Sequence, residues 1–187
     1  MIRLPCSQLL KGEDGRQAVA LARTGDAEGA LAALEGALND ARESSDLVRV
    51  GGVLGAMGLL LEHLNRGSEA RVRLQAAISL FRSRAATIPE AAYMGVLAEI
   101  RAHHGEVDAA RRALELGEAV LRDEESWTEL GSLLVRRAMV EMLADDPVLA
   151  CAALSDARAV CATEQVYAEV DQAVATLHVT RELAEVA

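Results

Sequence analysis

The chain has 187 residues, is 51% hydrophobic but only 2% aromatic, and carries 29 acidic against 19 basic side chains, a net charge of -10. The length suits one domain or one short solenoid, and the acidic balance disfavours a nucleic-acid backbone or an anionic membrane as main partner. No apolar run approaches the ~20 residues of a membrane span, and Met1-Ile2-Arg3-Leu4-Pro5 lacks the charged head and long apolar stretch of a signal peptide, so a cytoplasmic protein is expected.

Ala and Leu supply most of the apolar content, which suits closely packed helices better than a sheet. The only prolines are Pro5, Pro89 and Pro147, so long uninterrupted helices are allowed. In chain order the pattern predicts helices at about 8–23, 28–43, 46–64, 68–85, 89–104, 108–124, 127–144, 147–162 and 164–185. Ser126 with Glu129 reads as a capping box, and Asp146-Pro147 places proline in a first helical turn. Cys151 and Cys161 fall ten residues apart in one helix, roughly 15 Å along its axis and too far to bridge. With Cys6 they read as reduced thiols.

Written in rows of 40, the chain aligns with itself. One column reads Ala30, Ala70, Ala110, Ala150, and four residues later stand Leu34, Leu74, Leu114, Leu154. Ala37, Ala77, Gly117 and Ala157 follow, and five before the first alanines come Gly25, Asn65, Gly105 and Asp145, all suited to turns. A fifth column holds the small residues Ala18, Gly58, Ala98 and Ala138. In each unit a first helix ends at the turn, and a second returns with an Ala/Leu stripe buried against those small residues.

The stretches Gly25-Asp26-Ala27-Glu28-Gly29-Ala30 with Ala37-Leu38, and His104-Gly105-Glu106-Val107-Asp108-Ala109-Ala110, resemble the tetratricopeptide repeat family over roughly residues 11–185. The family's usual unit is ~34 residues; the 40-residue unit resembles the longer ones of bacterial signalling ATPases and transcription regulators. The resemblance implies an all-α fold, a right-handed α-solenoid of four helix-turn-helix units at about 11–50, 51–90, 91–130 and 131–170. A capping helix at 164–185 would close it, because His178 replaces the small residue of the Leu-small pair and Arg181 and Glu182 follow. The first helices of such a solenoid line a concave groove that holds a peptide or a partner's helix. Carried over, the groove-facing places are Val19, Ala22 and Arg23; Gly55, Leu59, Glu62 and His63; Gly95, Glu99, Ala102 and His103; and Val135, Met139, Met142 and Leu143. Gly15, Gly55 and Gly95 would leave its floor open, and its Met-rich end would adapt to partner side chains.

Each of these residues has a plainer reading. Met139 and Met142 would also serve as packing between units, Glu62 and Glu99 as a solvated face, and Trp127 and Tyr167 as unit-junction packing. His63 and His103 share a column with Glu99 one turn away, which suggests a zinc site, but equivalent residues on stacked helices lie ~10 Å apart and ligands must reach the metal at ~2 Å. No catalytic motif is present: no His-Glu-x-x-His, phosphate loop, Cys-x-x-Cys or Gly-x-Ser-x-Gly. The expectation is therefore a non-enzymatic module without cofactor or metal, binding a basic and apolar peptide or helix of a partner protein. The alternative is a self-associating or sensing element of a larger bacterial regulator, a homodimer in its simplest form, because a bare first unit would expose Leu9, Leu10 and Leu21.

Overall fold

A computed structural model describes residues 2, 4–160 and 166–175. After a short arm with a 3-10 turn at Ser7–Leu9, helices run in order: α1 Glu13–Thr24, α2 Ala27–Glu43, α3 Leu47–His63, α4 Gly67–Ser83, α5 Thr87–His103, α6 Val107–Asp123, α7 Trp127–Leu143 and α8 Pro147–Val160. Residues 166–175 are helical as well. The described chain is all-α, as expected, and no described helix is long and apolar enough to cross a membrane. The expected helix at 8–23 is the exception among the elements. It breaks into the arm and α1 at Gly12, whose φ of 92° only glycine adopts freely. Most of the expected closing helix, with Leu177, His178, Arg181 and Glu182, lies outside the described residues, as does Cys161.

The turns obey a shorter beat than the 40-residue columns suggest. A left-handed residue recurs at Gly25, Ser45, Asn65, Ala85, Gly105, Glu125 and Asp145, every second one of them between units. At each, its N–H bonds the carbonyl three residues back and the next N–H the carbonyl five back, as in Gly25 N to Ala22 O (3.1 Å) with Asp26 N to Leu21 O (3.0 Å). This is the Schellman closure, which satisfies carbonyls that a helix end would otherwise leave orphaned. The residue after each left-handed position then opens the next helix. Where it is aspartate, its carboxylate caps: Asp26 accepts from Gly29 N, Asp46 from Arg49 N and Asp146 from Leu149 N. Ser126 departs from the expected capping box, its hydroxyl donating to the Glu129 carboxylate at 2.6 Å with no bond to backbone.

Consecutive helices pack antiparallel, closely within the pairs α1–α2, α3–α4, α5–α6 and α7–α8. The column residues lie where that packing is tightest: Ala30, Ala70, Ala110 and Ala150 are fully buried, as are Ala18, Ala98 and Ala138. At Gly58 a Cβ would sit 2.7 Å from the Leu74 side chain, so the small residue there is a requirement of contact. Helix α3 is buried along its whole middle, from Val50 to Leu61. The apolar interior forms two clusters that meet at α5. Tyr93, Val96 and Ile100 belong with the N-terminal helices, Ala91, Ala98 and Ala102 with the C-terminal ones, and Met94 packs against both.

Candidate functional site

The first helices of the pairs share one face, and on it lies a cavity of about 290 Å3 bounded by the arm, α3, α5, α7 and the helix 166–175. The one-turn spacing that buries one side of each helix in the pair's core turns another side here: Leu59, Glu62 and His63 from α3, Val96 and Glu99 from α5, and Ser132, Arg136 and Met139 from α7. Of the residues expected in the groove, Leu59, Glu62, His63, Glu99, Val135 and Met139 are brought together in this way. The others are placed elsewhere. Val19 and Met142 are partly buried against the core, Ala102 is buried in it, and Arg23 and His103 are exposed outside the cavity.

The glycine floor is not open. A Cβ on Gly55 would fall 2.5 Å from the Tyr93 ring, and one on Gly15 would fall 2.4 Å from the carbonyl oxygen of Leu10. Gly95 alone of the three has room, with Leu133 and Arg136 at ordinary van der Waals distance. Beside the Tyr93 ring, the chain's own arm covers part of this face. Ile2, Leu4, Cys6 and Leu10 are all buried, and Leu9 packs on Gly52, where a Cβ would meet it at 2.7 Å. The Ile2 N–H donates to Ala22 O at 2.9 Å. The Tyr93 hydroxyl donates to Pro5 O at 2.9 Å, with Gly52 O also within reach at 3.2 Å. Arg49 closes the far end of the arm by donating to Lys11 O at 2.8 Å. Leu9 and Leu21, like Leu10, are packed rather than bare, so that ground for self-association is absent.

Charge in the cavity is unbalanced. Among the described residues, Glu62, Glu99, Glu129 and Glu169 line it with Arg136 as the one full cation. Arg136 pairs with Glu99 across α5 and α7, and His103 approaches Glu62 at 3.5 Å. The other Glu62 oxygen is buried without a hydrogen-bond partner, and so is the Ser132 hydroxyl. Burial first, and then the Glu129 carboxylate, push the Cys6 thiol up to about 12. Burial likewise holds the Tyr93 phenol well above its ordinary value, so both are neutral donors near neutral pH. His63, Glu99 and His103 do not converge, and among the described residues no group of three histidine, cysteine or carboxylate side chains could hold a metal.

Sequence reading missed both the arm and Arg136. Arg136 stands one position after the apolar Val135 in a helix read for its methionines. The signals available for the arm were Pro5 and the Lys11-Gly12 step, both of which oppose a continuous helix. Trp127 and Tyr167, expected as junction packing, are about half exposed. Compared with protein-family models and with curated proteins, the chain matches none.

Proposed function

We propose that this protein is a non-enzymatic interaction module of tetratricopeptide type, whose first-helix face receives a segment of a partner protein carrying apolar and basic side chains. The observation that carries this reading is the cavity of about 290 Å3, apolar at Leu59, Val96 and Met139 and lined, among the described residues, by four carboxylates and one guanidinium. A volume at the lower end of ligand pockets suits an anchoring side chain better than a whole cofactor. Its wall favours a cation, because the described carboxylates that line it outnumber the guanidinium there and gain from a charged donor. Met139, partly buried on α7, supplies an adaptable apolar contact for the stem of such a side chain.

The test is capture from native lysate with the parent chain and a Glu62→Lys/Met139→Lys variant whose helical circular dichroism matches the parent. These positions are preferred to Leu59, which is only 8% exposed and would perturb the core. The expected outcome is a protein retained by the parent, lost from the variant, and released progressively as salt rises. Equal retention by both forms would place the binding surface away from this face.

A further inference from the structure

The arm meets the first-helix face as a bound peptide would. Ile2, Leu4, Cys6 and Leu10 are buried against it, the chain turning at Cys6 (φ 49°) into the 3-10 turn Ser7–Leu9. Its backbone is held at Ile2, whose N–H donates to Ala22 O, at Pro5, whose carbonyl accepts from Tyr93, and at Lys11, whose carbonyl accepts from Arg49. The receiving helices are cut to admit it: side chains at Gly15 or Gly52 would collide with Leu10 and Leu9. Glycine weakens a helix interior, and both stand inside one, Gly15 in α1 and Gly52 in α3. The arm is joined to α1 through Gly12, a swivel at φ 92°, so it can leave without unwinding a helix. Resting on the groove reading above, we propose that residues 2 and 4–10 are a self-supplied occupant of that groove, and that its outside partner is a segment bearing apolar side chains placed as those of Ile2 and Leu4, which must displace the arm to bind fully.

Two consequences separate this from an arm that is merely part of the core. First, the arm opens locally, at a free energy below that of global unfolding. Second, the vacated site accepts the same sequence offered in trans, because binding depends on the fraction of chains with the site open.

Both can be read in the full chain. In a background of Cys151→Ser and Cys161→Ser, modification of Cys6 by a small disulfide reagent reports arm release. Labelling should proceed at a rate insensitive to low urea, the mark of local opening, and Tyr93→Phe should accelerate it about tenfold, as one lost buried hydrogen bond implies. That variant keeps the ring stacked on Phe81 and so keeps the fold. In parallel, a fluorescent peptide with the sequence of residues 1–10, serine replacing its cysteine, is titrated against the parent and against Ile2→Asp/Leu4→Asp. The doubly substituted chain, its own arm expelled, should bind the peptide at least tenfold more tightly than the parent. Labelling that follows global unfolding in both Tyr93 forms, or equal failure of the parent and the Asp variant to bind the peptide, would overturn the proposal. A lysate partner captured equally by the parent and the Asp variant would also overturn it, yet leave the groove reading standing. Loss of capture by neither groove variant nor arm variant would count against the groove itself.

Discussion

At Ala85 the backbone sits at φ 51°, and at Glu125 at the same angle, where an L side chain crowds the following carbonyl at a cost of about 1–2 kcal/mol. Ala85→Gly should therefore stabilise the protein by about 1 kcal/mol in urea unfolding, whereas Gly25→Ala should destabilise it by a similar amount, although nothing lies within 4 Å of the added methyl. Two glycines give a sharper contrast. Gly55→Ala drives a methyl into the Tyr93 ring and should lower stability by about 1–3 kcal/mol. Gly95→Ala has room and should raise it by up to about 1 kcal/mol through helix propensity. Cys6 adds a pH term. Its folded value near 12 lies above the ordinary 9.0, so its contribution to stability is whole below pH 9 and drains away as pH rises toward 12. Stability measured from pH 8 to 11 should fall less steeply in Cys6→Ala than in the parent. These residues also mark what sequence could reveal. The turns at Gly25, Asn65, Gly105 and Asp145 announce themselves by residue type. Those at Ser45, Ala85 and Glu125 do not, because alanine and glutamate carry no preference for the left-handed region and take it here only because the helices on both sides demand it.

Among the elements, α5 joins the two halves of the interior, and α6 and α7 are tied by Arg137 with Glu118 and by a second polar contact of greater depth. Glu141 is 1% exposed and accepts from the Arg111 Nε and Nη2 in a forked pair. Removing the arginine strands a buried carboxylate. Arg111→Ala should cost about 2 kcal/mol, less than the ~3–5 kcal/mol of a wholly buried pair, because the guanidinium is 36% exposed. Combining it with Glu141→Met should restore most of the loss, which paired urea titrations would show. Helix positions were legible from the Ala and Leu columns, since these residues are buried at the helix-to-helix contacts that set the period. The pairing of Arg111 with Glu141 was not, because it joins residues 30 apart whose meeting depends on the rotation of two helices. The arm escaped for a related reason: Gln8, Leu9 and Leu10 continue the apolar spacing of α1, and periodicity alone does not see the bend at Gly12.

Over the whole molecule, the shared face of the first helices followed from the column register, and Leu59, Glu62, His63, Glu99, Val135 and Met139 of the expected groove residues meet in one cavity there. The charge of that cavity depends on Arg136 and Glu169 as well as on the anticipated Glu62 and Glu99, and a residue's sign is readable in sequence only after its facing is known. Every turn from Gly25 to Asp145 has the same geometry, so nothing in the connections themselves tells an inward helix from an outward one; only the side chains do. A deletion of twenty residues spanning one helix and one turn would close without strain and yet present each later helix by its wrong side. A deletion of forty would shorten the stack by a pair and leave every later helix facing as before. The tolerated unit of length change is thus twice the unit of backbone geometry, and insertions that differ between related chains should come in multiples of the larger one.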